Sequence, residues 1–479
     1  MGLGSKLKSL IGEDLLDDLQ HQLKEVAAQG LDRHLKIAVT GLSRSGKTVF
    51  ITSLVHHLME AHQSRSLPFF EVASEQRIIS VKDLSATSEK PFPLRQSIQA
   101  LGQEPPLWPE STTGLSEVKL AIRYKPASRL KRLVNDTATL YLDIIDYPGE
   151  WLLDLPLLHL DFAQWCSKQQ QLFALEPRAT LAKNWCAAQS RIDWLAPAND
   201  DALAVLSEEY TALLHLLRND ENALSMIQPG RCVLPGEWAS NPLLQLFPIL
   251  NPPADLSQIP AGSMYQQLQQ RYEDYKELIV KRFYREHFSR FDRQVVLVDC
   301  LKVLNHGKPC FDDMKSALTD ILQSFNYGQS GFLRRLFSPR IDKVLFASSK
   351  ADHVTANQHH NLDKFLELII QDAQRDMRFD GIDTRCMALA SIRSTESAEA
   401  VLDGQTISCL KGINKQTGET IALFPGEVPM ELPSERDWNS SRFRFLDFAP
   451  RKLPQTDLKP AHHIRLDQAL EYLTGDMFR

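Results

Sequence analysis

The chain of 479 residues contains no run of about 18 apolar residues, so a membrane-spanning helix is not expected. Lys6 and Lys8 near the start have no continuous apolar stretch behind them, which argues against a classical secretory leader. Lys6 also stands where a myristoylation motif needs Ser or Thr. The seven cysteines are scattered and never spaced Cys-x-x-Cys, so neither a disulfide framework nor a zinc knuckle is indicated, and a reducing cytosol fits. There is no cationic excess: 54 Lys and Arg against 60 Asp and Glu leave a net charge of −6. No global field gathers phosphodiester backbones, and nucleic acid is not an expected partner. What is present is ordinary globular composition, 43% hydrophobic and 24% charged. At roughly 100–200 residues per domain, the length suggests several folding units.

Leu7, Leu10, Ile11, Leu15, Leu19, Leu23 and Val26 recur at near-helical spacing and predict an N-terminal amphipathic helix. Its apolar face suits a membrane surface, a partner or the domain that follows; Glu13, Asp14, Asp17 and Asp18 favour the last. Leu35 to Thr40 then predicts a strand, followed by a glycine loop and a helix from Val49 through Leu58. Further strands are expected at Val118 to Tyr124, Ala138 to Ile145, Gln294 to Val298, Lys343 to Ala347 and Arg385 to Leu389. Most are Val, Ile and Leu runs with little alternation, the pattern of a mostly parallel sheet covered on both faces.

Two stretches interrupt this series. The roughly 140 residues between Gly149 and Gln294 read as helical and far exceed an ordinary connection, which predicts an inserted helical domain. Trp151, Trp165, Trp185, Trp194 and Trp238 supply enough apolar surface for an independent core there, and the proline-rich 228–260 region predicts a loop. A small β insertion is expected over 394–450, from Ile407 to Ile413, Thr420 to Phe424, and the alternating Arg442 to Phe445. A helix from Leu466 to Met477 closes the chain.

Gly41-Leu-Ser43-Arg44-Ser45-Gly46-Lys47-Thr48 fits G-x-x-x-x-G-K-[ST], a pattern expected by chance in about one such chain in two hundred. Its backbone N–H groups suit a β-phosphate, Lys47 the phosphate charge and Thr48 a magnesium ion, at the N-terminus of a helix whose dipole favours an anion. Asp146-Tyr-Pro-Gly149 ends a predicted strand; there the carboxylate suits magnesium through water and the Gly149 N–H a γ-phosphate. Ser349-Lys350-Ala-Asp352 ends another. A carboxylate at Asp352 accepts from both N1–H and the exocyclic amine of guanine, a donor pair that adenine lacks, and the Lys350 stem covers the base. Backbone N–H groups of Ala390, Ser391 and Ile392, at the next strand end, are placed for the guanine oxygen; Val49 and His353 complete the nucleotide set. The adjacent pairs His56-His57, His359-His360 and His462-His463 face different directions on a helix and read as surface residues.

This order of motifs resembles the translation-factor-related class of P-loop GTPases, over roughly 35–150 and 290–395. More narrowly, with the helical insertion and the Asp-Tyr-Pro-Gly-Glu-Trp string, the whole chain resembles the YcjX family of bacterial GTPases. The resemblance implies an α/β fold: a Ras-like P-loop core with a mostly parallel sheet, a large helical insertion after the second switch and a small β insertion. The corresponding division is an N-terminal helix over 1–34, core over 35–150 and 291–393, insertions over 151–290 and 394–450, and a closing core helix over 451–479. It also implies GTP and GDP with Mg2+ and an association with envelope stress.

In that frame the loop Trp108-Pro-Glu-Ser111-Thr112-Thr113-Gly114 is the first switch. Thr112 is its magnesium-sensing threonine and Thr113 the alternative. Glu150 takes the place of a water-orienting glutamine, and its charge is unfavourable beside a γ-phosphate, so slow intrinsic hydrolysis is expected. The implied catalytic set is Lys47, Thr112, Gly149 and Glu150, and the implied metal set Thr48, Thr112 and Asp146. Ser349 stands where Asn or Thr is usual, and Pro109 where the heterotrimeric class keeps an arginine, which leaves Arg44 as a candidate substitute charge. A protein effector is expected, with membrane association through the N-terminal helix or the helical insertion, and a cytoplasmic location or a peripheral one at the inner membrane face. An ATP-dependent kinase with the insertion as lid, and a nucleotide-bound scaffold, are the competing readings.

Overall fold

The computed structural model describes residues 32–42, 44–111, 113–128, 136–253, 255–326, 341–402, 405–440 and 442–479. The predicted N-terminal helix, Ser43 and Thr112 lie outside them. Seven strands form one sheet in the order β2-β3-β4-β1-β5-β6-β7. They are β1 (Arg33–Gly41), β2 (Ile78–Asp83), β3 (Ser116–Tyr124), β4 (Ala138–Asp146), β5 (Arg293–Val298), β6 (Lys343–Ser348) and β7 (Asp383–Ala388). From β4 through β7 every neighbouring pair is parallel, and β3 and β2 add antiparallel strands at one edge. This is the mostly parallel α/β sheet expected of a Ras-like P-loop core. β2 is additional to the predicted strands.

The helices used below are α1 (Lys47–Met59), α2 (Phe162–Phe173), α3 (Asp200–Arg218), α4 (Met264–Tyr275), α5 (Lys308–Asn326), α6 (His359–Phe379) and α7 (Leu466–Thr474). Alternate residues of the central strands enter two cores. Leu35, Ile37, Val39, Val295, Leu297, Leu345 and Ala347 pack with α1 and α7 on one face. Ala38, Val296, Val298, Val344 and Phe346 pack with α5 and α6 on the other. Continuous Val/Ile/Leu runs follow from this double cover. In β3 and the start of β4, where only the α1 face is fully covered, burial alternates residue by residue.

The helical insertion is present, but its apolar residues do not form a separate core. Trp151, Trp165, Trp185 and Trp194 belong to the same buried cluster as Ala38, Val296 and Phe346. Trp165 stacks on Tyr272 of α4 at 5.1 Å, and Trp185 on Tyr210 of α3 at 4.7 Å. Arg178 and Asp313, both buried, join the insertion to α5 by an ion pair of 2.6 Å. The segment after β4 runs as 3-10 turns, Gly149–His159, buried through Leu157, directly from the sheet into this cluster.

The small β insertion is an antiparallel sheet of β8 (Glu396–Leu402), β9 (Gln405–Ile413) and β10 (Thr420–Leu423). The alternating Arg442 to Phe445 is not one of its strands. The Phe445 backbone instead exchanges hydrogen bonds with the Asn305 side chain, at 2.6 and 2.9 Å, while its ring is buried. The alternation marks which rings are buried, without a neighbouring strand. The surface reading of the histidine pairs also fails: His56, His57, His359 and His463 are all buried. Among the described residues no helix is long and apolar enough to cross a membrane.

Candidate functional site

The sheet brings the ends of β1, β4, β5, β6 and β7 to one edge, where open parallel sheets place their ligand crevices. Gly46 caps α1 with φ 89°, a left-handed conformation suited to glycine, and the first turn of α1 carries no acidic residue to oppose an anion. An added Cβ at Gly41 would lie 2.2 Å from Ser45 Oγ and 2.6 Å from the Leu297 carbonyl oxygen. Lys47 Nζ donates to the Gly41 carbonyl at 3.5 Å. Ser45 is buried, and its hydroxyl has no partner among the described residues. The loop therefore combines close backbone approach, a lysine and an unpaired buried hydroxyl, which fits a phosphate group.

A cavity of about 680 Å³ runs from this loop to the β6 and β7 ends. Arg44, Ser45, Gly46, Lys47, Thr48, Val49, Trp108, Ser111, Thr113 and Glu150 line one part; Lys350, Asp352, His353, Ala390, Ser391 and Ile392 line the other. Among the candidates, Gly41, Asp146 and Gly149 are outside its wall. Gly149 supports the loop from behind: a Cβ there would come 2.1 Å from the Gly41 carbonyl oxygen. Asp146, buried at the end of β4, pairs in register with Val39 of β1. Together with the Thr48 hydroxyl, its carboxylate is the hard-oxygen chemistry that magnesium takes.

Asp352 is buried, and its Oδ2 accepts from the Ser394 backbone N–H at 2.7 Å. Its backbone carbonyl accepts from the Thr395 hydroxyl, so the start of the β insertion holds both the carboxylate and the backbone of Asp352. Ser53 of α1 donates to the Ser391 carbonyl at 2.5 Å, tying the phosphate-loop helix to the β7 loop. Lys350 has φ 60° and directs Nζ to Asp299 at 2.7 Å and Asp447 at 2.8 Å. Burial opposes its charge, but the two carboxylates outweigh it and raise its pKa. Burial likewise opposes ionisation of Asp447, yet Lys350 brings it down to about 2. Ser349 does not strut the phosphate loop; its hydroxyl donates to the Val298 carbonyl at 3.4 Å.

Several residues of this wall carry no sequence motif. Arg218, at the end of α3, donates Nε–H to Glu150 Oε1 at 2.6 Å. Asp220, just beyond it, pairs with Arg44, and with Lys302 at 2.7 Å. Arg44 is thus tied to the insertion. Asp447 and Phe448 arrive from the segment after the small sheet, and His353 stands edge-on to Phe448 at 5.1 Å.

With this arrangement in place, comparison with known proteins decides the family: the model of the YcjX-like family, DUF463, matches residues 35–478. The chain belongs to the YcjX-like family. It is 44% identical over 469 residues to the Ras-like GTPase YcjX of Escherichia coli (strain K12), covering 96% of this chain and 99% of that protein. It is 42% identical over 464 residues to the Ras-like GTPase YcjX of Shewanella oneidensis, covering 93% of this chain and 95% of the relative. The family resemblance read from the motifs is therefore correct over nearly the whole chain.

Proposed function

We propose that this YcjX-like protein binds GTP and GDP with magnesium, hydrolyses GTP slowly, and uses the difference as a switch. The observation that carries the reading is one continuous cavity joining Lys47 and Thr48 at the phosphate loop to the fixed Asp352 carboxylate. Both relatives are named Ras-like GTPases, which supports the guanine-nucleotide part of this reading. In this assignment Gly41, Ser43, Arg44, Ser45, Gly46 and Lys47 cradle the phosphates, and Asp352 reads the guanine edge. Lys350 covers the base, Val49 and His353 flank it, and Ala390, Ser391 and Ile392 meet its oxygen. Trp108, Ser111 and Thr113 belong to the first switch, with Thr112 as its metal-sensing threonine. Thr48, Thr112 and Asp146 hold magnesium, which supplies positive charge to the β- and γ-phosphate oxygens.

Residues 35–150 and 291–393 form the nucleotide core in this proposal, and 151–290 is the responding insertion. The coupling route is short, because the second switch leads from Gly149 and Glu150 directly into the insertion's buried turns. An effector protein and a peripheral membrane position, through the N-terminal helix or the insertion, extend the proposal, as does envelope stress from the family resemblance. The kinase reading draws on one feature, an arginine from the insertion in the cleft wall.

Calorimetric titration of GDP and ADP with magnesium, on wild type and Asp352→Asn, tests the assignment, followed by GTP turnover in the same samples. GDP binding that the substitution markedly weakens supports it. ADP binding of equal or greater strength overturns it in favour of the kinase or scaffold.

A further inference from the structure

The position that Ras-like enzymes give to a water-orienting side chain holds Glu150 here, a buried carboxylate that repels a γ-phosphate. The structure supplies its counter-charge. Arg218 ends α3, and its Nε–H meets Glu150 Oε1 at 2.6 Å. Both side chains line the same cavity as Lys47 and Thr48. The four other N–H donors of the Arg218 guanidinium have no protein acceptor among the described residues. Arg44, the other arginine at the phosphate loop, is engaged by Asp220. Asp220 in turn bonds Lys302, so the turn after α3 is anchored on both sides.

Resting on the GTPase reading above, we propose that Arg218 is the arginine this chain brings in cis to the γ-phosphate, with Glu150 as its positioning partner. Nε holds the carboxylate and cancels its charge, which leaves the terminal nitrogens to donate to γ-phosphate oxygens as negative charge builds on them. In that step the bond between the γ-phosphorus and the bridging oxygen breaks, and its electron pair stays on GDP. The water oxygen bonds to phosphorus, and its proton leaves with the phosphate or to solvent. Glu150 thus keeps its carboxylate in the site without repelling the substrate, and the insertion becomes part of the reaction centre.

Single-turnover GTP hydrolysis and fluorescent GDP binding, with and without aluminium fluoride, test this on wild type, Arg218→Ala, Arg218→Lys and Arg218→Ala/Glu150→Gln. The expected result is GDP affinity within about threefold of wild type, hydrolysis slower by about a hundredfold or more, and loss of the aluminium fluoride response. Glu150→Gln in the Arg218→Ala background removes the uncompensated carboxylate and is expected not to restore the rate. Arg218→Lys, which keeps charge near Glu150 but loses the fork, serves if Arg218→Ala does not fold, and is also expected to be slow. Hydrolysis within threefold of wild type in the folded single variants overturns the proposal. So does a double variant that hydrolyses like wild type, because Arg218 would then act only by neutralising Glu150. Wild type that binds GDP but does not hydrolyse GTP overturns it as well. Failure of wild type to bind GDP defeats instead the function on which it rests.

Discussion

Gly149 lies against Gly41, so closely that a Cβ on Gly149 would come 2.1 Å from the Gly41 carbonyl oxygen. The glycine expected to sense the γ-phosphate thus also props the first residue of the phosphate loop. Gly41 is itself closely packed, since a Cβ built on it would lie 2.6 Å from the Leu297 carbonyl oxygen. The Gly149→Ala substitution is therefore expected to displace the loop and weaken GDP as well as GTP analogues by about tenfold or more, on the order of 1.4 kcal/mol. Paired titrations check this. A loss confined to the GTP analogue would mean that Gly149 senses the γ-phosphate without supporting the loop.

The Asp352 carboxylate is oriented by the Ser394 N–H at 2.7 Å, which permits a sharper test than loss of binding. An amide at this position replaces one acceptor by a donor, so it opposes the exocyclic amine of guanine and matches a base with a carbonyl there. Asp352→Asn is expected to lose about 1–3 kcal/mol of GDP binding and to gain xanthosine diphosphate binding. Competition against a fluorescent nucleotide measures both. Failure of the xanthine nucleotide to compete better than GDP would remove Asp352 as the base reader.

How much of this was legible in the sequence depended on the range of the interactions. The central strands were readable because both faces are covered, and a Val-Val-Leu-Val run at 295–298 satisfies both cores. Strand β2 was not, because its edge position leaves Ser80 exposed and only Ile78 buried, without a periodic signal. β8, Glu-Ser-Ala-Glu-Ala-Val-Leu, is built largely from residues with little strand preference and is held by pairing with β9. At the site, the phosphate loop and Asp352 are local motifs, each one short loop at a strand end. Arg218 meets Glu150 across 68 residues, and Asp447 meets Lys350 across 97. Nothing adjacent in the chain announces such pairs. Adjacent histidines pointing in different directions read as surface residues, whereas α1 is buried all round from Ser53 through Leu58.

The ion pair between Arg178 and Asp313 predicts how firmly the insertion is attached. Asp313 also accepts from the Ser225 and Met226 amides at 2.6 and 2.9 Å, and Arg178 donates to the Met226 carbonyl at 2.8 Å. Removing the cation alone leaves a buried carboxylate without its counter-charge, so Arg178→Met is expected to cost about 3–5 kcal/mol. The double variant Arg178→Met/Asp313→Leu is expected to recover only part of that, because two amides lose their acceptor. Urea unfolding of the three proteins decides. A single variant within about 1 kcal/mol of wild type would show that the pair does not hold the insertion to α5.

Acid sensitivity follows from the other side of the sheet. His57 in α1 is fully buried, its ring edge-on to His463 at 4.9 Å, and neither ring nitrogen has a hydrogen-bond partner among the described residues. His463 Nε2 is turned to the Ser66 carbonyl at 2.9 Å. Burial first, and then the neighbouring His463, His56 and His462, push the His57 pKa down to about 2. The unfolded chain therefore takes up a proton near pH 6.5 that the folded chain refuses until about pH 2. The sign is a stability that is flat in this group above about pH 6.5 and falls below it, by about 1.4 kcal/mol per pH unit. His463, also lowered by burial, adds to the same trend. His57→Leu is expected to make the pH dependence of unfolding free energy between about pH 6 and 5 shallower by one proton. An unchanged slope would mean that His57 titrates alike in both states. Because α1 carries the phosphate loop at its other end, nucleotide release is expected to follow the same acid limb, and fluorescent GDP retention across that range measures it directly.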